Sequence, residues 1–279
     1  MPTREEKIGI PVASGPLEGT LVTPGSLIPG VLFVHGWGGS QQQYLARARE
    51  IAALGCVCLT FDLTGHAGTN SQHATVSREA NLRDVLAAYD LLARHPHVDP
   101  SAVAAVGSSY GGYLAAILTT LRPVKWLALR VPALYIDSGW ELPKLQLHKE
   151  QDLRAYRRSF VPADSNRALR ACAAFEGDVL IIESQRDDII PPEVIKSYRE
   201  ACLNVRSLTY RCMAGADHGL DDDASQRAYT ALLTQWLGEM LPGARRDEAS
   251  ATATAAAANQ VAAPTAASEQ GPEAPLQPL

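Results

Sequence analysis

The segment Gly107-Ser108-Ser109-Tyr110-Gly111 sets a serine hydroxyl between glycines, after the apolar run Ala102–Val106 and before the helix-like run Tyr113–Leu121. A serine on a sharp strand-to-helix turn takes an unusual backbone conformation. Glycines on either side let the chain turn tightly and let the helix approach the sheet. Such a turn lifts the Ser109 hydroxyl above the sheet, beside a helix N-terminus that favours negative charge. Nucleophilic attack on a carbonyl is the chemistry this spacing suits. Ser108 fills a variable position of the pattern and is expected to point into the packing.

A hydroxyl is a poor nucleophile at neutral pH, so Ser109 needs a base, and the base needs an acid to orient it. His218, in Gly215-Ala216-Asp217-His218-Gly219, follows the last strand-like run and precedes the final helix. Asp187 and Asp188 follow the apolar run Val179-Leu180-Ile181-Ile182 and are the rival acids. The order Ser, Asp, His is the one expected for a triad on an α/β sheet. Acyl transfer also develops a negative oxygen that requires preorganised N–H donors. The Tyr110 amide is one candidate donor. The other is the Trp37 amide, in His35-Gly36-Trp37-Gly38-Gly39 after the strand-like Val31-Leu32-Phe33-Val34. His35 reads as a loop brace and His66, His73, His95, His97 and His148 as structural, with Asp217 and Asp221–Asp223 as solvated or capping acids.

These groups need a scaffold, and the chain alternates strand-like and helix-like runs. The strand candidates are Gly30–His35, Cys56–Asp62, Ala102–Gly107, Lys125–Val131, Asp178–Ser184 and Ser207–Met213. Several are continuously apolar, as strands covered on both faces are. Helices are predicted over Tyr44–Leu54, Ser77–Arg94, Tyr113–Leu121, Pro192–Cys202 and Ala224–Met240, and an antiparallel pair over Lys7–Val12 and Leu17–Thr23. The expected fold is α/β, a doubly wound, mostly parallel sheet with right-handed crossovers. Reactive groups in such sheets gather at the carboxyl ends of strands, where the motifs above fall.

The chain has 279 residues, enough for one sizeable domain, expected over 1–242; 243–279 is rich in Ala and Pro, poor in large apolar residues, and expected to be disordered. A net charge of −5 gives no reason to expect nucleic acid as a partner. No apolar run approaches the roughly 20 residues that span a bilayer, and Met1–Lys7 lacks a signal-like apolar segment, so a cytoplasmic location without membrane partners is expected. Five cysteines without a C-x-x-C pair suggest neither a zinc site nor a disulfide framework.

In these ordered motifs the chain resembles the α/β-hydrolases over nearly all of residues 25–240. Asp62-Leu63-Thr64-Gly65-His66-Ala67-Gly68 resembles the Asp-x-x-Gly-His-Gly loop after the family's fourth strand, with Ala67 displacing the second glycine. The family's Asp-x-x-x-Pro after its seventh strand matches Asp187 and Pro191, which implies Asp187 as the acid. Ser109-Tyr110-Gly111-Gly112-Tyr113 is similar to the catalytic domains of prolyl-oligopeptidase-type peptidases. The compact build is closer to dienelactone-hydrolase-like and feruloyl-esterase-like members, although dienelactone hydrolases proper carry cysteine where Ser109 stands.

The resemblance implies a serine hydrolase that cleaves carboxylic esters of small to medium acyl or aryl groups. Ser109, His218 and Asp187 would form its triad and the Trp37 and Tyr110 amides its oxyanion hole. It implies no cofactor and no metal, and a small-molecule ester as the partner; it leaves the oligomeric state open. By the same analogy, the insertion at about 132–177 is a lid and specificity element, while its residues alone suit an ordinary pair of surface helices equally well. The alternatives are a small peptidase or amidase, and a non-catalytic binding protein of the same fold.

Overall fold

The continuously apolar runs become the strands of one parallel sheet, because helices cover both of its faces. The computed structural model describes residues 3–10, 17–24 and 27–261. In chain order the elements are β1 (Thr3–Ile10), β2 (Leu17–Pro24), β3 (Ile28–Val34), α1 (Gln42–Ala52), β4 (Val57–Thr60), α2 (Arg78–Ala93), β5 (Val98–Ser108), α3 (Tyr110–Leu118), β6 (Trp126–Arg130), α4 (Lys144–Glu150), α5 (Leu153–Arg157), α6 (Arg167–Ala174), β7 (Asp178–Ser184), α7 (Pro192–Ala201), β8 (Ser207–Met213) and α8 (Asp223–Val261). Short 3₁₀ turns lie at Ala67–Gln72 and Ala163–Ser165.

Strands β3 to β8 form an all-parallel sheet in the order β4-β3-β5-β6-β7-β8, and β1 and β2 pair antiparallel in a sheet of their own. The predicted first strand ended at Val12, which lies outside the described residues. The chain leaves β3 for one edge and returns to β5 on the other side, so a crevice opens beyond the carboxyl ends of these two strands. The loop with Trp37 leaves β3 there, and Ser109 leaves β5.

Helix α3 is apolar all round and buries every residue from Tyr110 to Leu118, as a helix enclosed by the sheet and by α2 and α6 must. It starts at Tyr110, three residues before the predicted Tyr113, because the chain passes from strand to helix through Ser109 alone. Helix α2 begins with Ser77 capping the Ala80 amide and buries Leu82, Val85, Tyr89 and Leu92 at helical spacing. Within the insertion, α6 is a layer helix packed on α3 and α7, capped by the Asn166 side chain.

The last helix departs from its predicted end at Met240. It continues past Pro242 to Val261, through an alanine-rich stretch of high helix propensity that had been expected to be disordered. Residues 262–279 lie outside the described residues. The chain divides into two units after Met240. Among the described residues no helix is long and apolar enough to cross a membrane.

Candidate active site

The turn after β5 carries Ser109 at φ +52° and ψ −117°, a conformation that side chains rarely adopt. The surroundings hold it there. The Ser109 amide donates to the Arg130 carbonyl at 2.9 Å, and its carbonyl accepts from the Ala133 amide at 3.0 Å and the Tyr113 amide at 3.1 Å. The flanking glycines are required sterically: a Cβ on Gly111 would run into the Val34 carbonyl oxygen, and one on Gly107 into the Gly111 carbonyl oxygen. Ser108 is buried with its hydroxyl against Arg130 Nε at 3.4 Å.

His218 Nε2 lies 3.1 Å from Ser109 Oγ, and His218 Nδ1 lies 2.7 Å from Asp187 Oδ2. A carboxylate only accepts, so Nδ1 carries the proton and Nε2 is left to accept from the serine hydroxyl. Asp187 Oδ1 accepts the amides of Ile189 at 2.9 Å and Ile190 at 2.7 Å, so both carboxylate oxygens are engaged and the side chain is 2% exposed. Asp188 is exposed. The loops carrying the acid and the histidine are tied together: the Arg186 amide donates to the Ala216 carbonyl, and the Gly215 amide to Gln185 Oε1, both at 2.8 Å. A hydroxyl held on an imidazole whose far nitrogen is anchored in this way can lose its proton as it attacks an electrophilic carbon.

The Trp37 loop passes directly over the serine, close enough that a Cβ on Gly36 would lie 3.4 Å from Ser109 Cβ. Asp62, two residues past β4, fixes the far side of this loop by accepting from the Gln41 amide and side chain, both at 2.8 Å. His35 braces the near side: Nδ1 donates to the Gly36 carbonyl at 2.8 Å, and Nε2 accepts from the Leu63 amide at 3.0 Å. Burial lowers the His35 pKa, in keeping with that neutral tautomer. Among the described residues no hydrogen bond engages the Trp37 or Tyr110 amide.

Under Trp37 lies a cluster of rings in which His66 meets Trp37, His35 and His73 edge-on. Burial pushes the His66 pKa down to about 4, helped by neighbouring His35. An unfolded chain therefore binds a proton at His66 below the ordinary 6.5 while the folded protein does not, so stability falls as pH drops from there towards 4. Going from about pH 7.5 to about pH 5.5 is expected to cost about 1 kcal/mol through this residue. Urea midpoints at both pH values should show His66→Phe losing that part of the acid sensitivity; an unaltered acid limb would contradict the assignment.

Sequence reasoning missed the cations around this site. Lys144 at the start of α4 is buried, its ammonium 3.9 Å from the Trp37 ring centroid, 4.9 Å from that of Tyr110 and 5.1 Å from that of Tyr135. Burial lowers the Lys144 pKa. Burial also pushes Tyr135 upward, but Lys144 and Arg157 outweigh it and hold that phenol below its ordinary value. Thus the insertion touches the site through Trp37 and Tyr110.

A cavity of about 470 Å³ opens beside Ser109. Its walls are the Gly36–Gly39 loop, α1, Arg130, the His218 loop and the start of α8. Among the described residues of 132–177, where a lid was one expectation, none lines this cavity, because α4 packs against the Trp37 ring instead of roofing the serine. A lone arginine in the apolar run Lys125–Val131 was the one sequence signal available for Arg130. Among the described residues no cluster of three His, Cys, Asp or Glu side chains could hold a metal ion.

A family model described as the alpha/beta hydrolase family matches residues 31–269. Solved structures share the fold at low identity. The dienelactone hydrolase of Anabaena variabilis is 20% identical with a TM-score of 0.54, the match covering 84% of this chain and 96% of that one. Carboxyl esterase 2 of Tuber melanosporum is 20% identical with a TM-score of 0.54, covering 86% of each chain. A thermophilic esterase of Thermogutta terrifontis, with butyrate bound, is 21% identical with a TM-score of 0.59, covering 78% of this chain and 85% of that one. Among curated proteins none matches this chain.

Proposed function

The chain belongs to the alpha/beta hydrolase family, and from that premise we propose that it is a serine hydrolase of carboxylic esters with small to medium acyl or aryl groups. The observation that carries this reading is the histidine ring bonded at both ends, 3.1 Å from Ser109 Oγ and 2.7 Å from Asp187 Oδ2. Esterases among the proteins of similar structure agree with it.

In the proposed reaction Ser109 Oγ forms a bond to the ester carbon as its proton passes to His218 Nε2. Asp187 stabilises the resulting imidazolium, and the amides of Trp37 and Tyr110 receive the negative oxygen. His218 then gives the proton to the alcohol oxygen as the carbon–oxygen bond breaks. Water, deprotonated by the same histidine, attacks the acyl-serine, and the bond from the carbon to Ser109 Oγ breaks as His218 returns that proton to Oγ, releasing the acid and Ser109. Every proton and bond change is accounted for by these side chains and water, so the proposal includes no cofactor.

A cytoplasmic location belongs to the same proposal. It is supported by five thiols, Cys56, Cys58, Cys172, Cys202 and Cys212, among which no disulfide forms.

Hydrolysis of nitrophenyl esters of increasing acyl length tests the reading. Turnover of the shorter acyl groups that depends on Ser109 is expected. Cleavage of peptide or amide substrates with no ester turnover would overturn the ester assignment in favour of the amidase alternative.

A further inference from the structure

Among the described residues, the side chains lining the cavity beside Ser109 include two guanidiniums, from Arg47 and Arg130, and no carboxylate. Each arginine is only 6% exposed. Buried charges normally sit against an opposite charge, since removal from water costs several kcal/mol per ion. Here that partner is missing: among the described residues neither arginine has a salt bridge to an acid.

Arg47 donates Nη1 to the Gln43 carbonyl one turn earlier on α1, and its buried Nε has no hydrogen-bond partner among the described residues. Arg130 reaches from the end of β6 and spends one N–H each from Nε, Nη1 and Nη2 on Ser108 Oγ, Ser184 Oγ and the His218 carbonyl, at 3.4, 3.2 and 2.6 Å. A guanidinium has five N–H groups, so two remain. The two cations flank one ring, with Cζ of Arg47 4.7 Å and Cζ of Arg130 5.6 Å from the Tyr229 centroid.

Burial lowers the Arg130 pKa. Tyr229 and Tyr44 oppose that effect, and Arg47 adds to it. Asp187 is the carboxylate among the main influences on Arg130, and its oxygens are already given to His218 and to the Ile189 and Ile190 amides. Arg47 also borders a neighbouring cavity lined by Glu50 and Asp223, but it pairs with neither among the described residues, so the cavity beside the serine, sized for a small molecule, is lined by the positive charge of both guanidiniums.

We propose that Arg47 and Arg130 form an anion-binding subsite of this cavity, selecting esters that carry a free carboxylate near the scissile bond. A planar carboxylate suits this pair because it accepts two N–H groups from a guanidinium fork at once. The proposal rests on the serine-hydrolase reading for its choice of substrate, while the subsite itself can be tested by binding alone.

The experiment compares monoethyl glutarate with diethyl glutarate, which differ by one charge and one ethyl group. A second pair, 4-acetoxybenzoate and its methyl ester, places the carboxylate on the leaving group. The wild-type protein is expected to favour the charged member of at least one pair by about tenfold or more in kcat/KM, with the preference falling as salt is raised. Arg47→Gln is expected to lower that charged-to-neutral ratio about tenfold. Equal or lower kcat/KM for both charged esters in the wild type would overturn the subsite and leave the esterase standing.

Calorimetry separates the two claims when neither ester is turned over. Saturable binding of monoethyl glutarate to Ser109→Ala, weakened about tenfold by adding Arg47→Gln, would uphold the subsite without the esterase. Absence of binding would overturn it. Should Arg47→Gln fail to fold, as judged by circular dichroism, the wild-type charge preference and its salt dependence decide alone.

Discussion

Replacing Ser109 with alanine is expected to lower kcat for a short-chain nitrophenyl ester by about 10⁵- to 10⁶-fold, the scale seen when a triad loses its nucleophile. The geometry accounts for the size of the effect. Only Ser109 Oγ lies against His218 Nε2, at 3.1 Å, while the adjacent Ser108 hydroxyl faces Arg130 in the packing. With Oγ removed, water would have to attack unassisted by covalent chemistry, leaving whatever acceleration the Trp37 and Tyr110 amides and binding provide. The substitution should leave stability nearly unchanged, because the backbone hydrogen bonds that hold the strained turn do not use the side chain. A variant folded to the wild-type urea midpoint and retaining even a tenth of the activity would remove Ser109 from the mechanism.

The second large effect is expected at Asp187. Asp187→Asn should lower kcat by about 10⁴-fold, whereas Asp188→Asn should stay within about twofold. The carboxylate of Asp187 forces the proton onto His218 Nδ1, which keeps Nε2 an acceptor. The loop amides of Ile189 and Ile190 hold Oδ1, so an asparagine would keep its carbonyl on them and turn its NH₂ towards the histidine. That NH₂ drives the imidazole into the other tautomer, with Nε2 protonated and unable to accept from Ser109. Asp188 is exposed and takes no part in this arrangement. Steady-state kinetics of the two variants side by side read the difference; equal losses at both positions would contradict the assignment.

The two aspartates also mark how far the sequence could be read. Ser109 was legible because a strained turn demands glycines at 107 and 111, and those leave a pattern. His218 and Asp187 were legible through their places after apolar runs that become β8 and β7. Asp187 was separated from Asp188 by family resemblance, since the bonds that decide between them come from amides two and three residues further on, which no residue type announces. The cations were not legible. Nothing in the residue pattern sets Arg47 on its helix or Lys144 in the insertion apart from surface charges, because their burial depends on rings from distant parts of the chain, Tyr229 for one and Trp37 for the other. Nor do the insertion's residue types announce that α4 packs Lys144 against Trp37 while the cavity opens on the side of α1 and α8. The six parallel strands were plain from their apolar runs, but the final helix was not, because Pro242 signals a stop that the alanine-rich sequence beyond it overrides.

The most direct test of a nucleophilic Ser109 is covalent labelling with a fluorophosphonate, followed by peptide mass spectrometry. Such reagents are attacked only by an activated hydroxyl, and they leave a stable adduct on the residue that attacks. The expected result is a single adduct on Ser109 that is lost in Ser109→Ala and slowed by at least about 10³-fold in His218→Ala. An adduct on Ser108 or elsewhere, labelling that persists without His218, or no labelling of a folded protein would contradict the account.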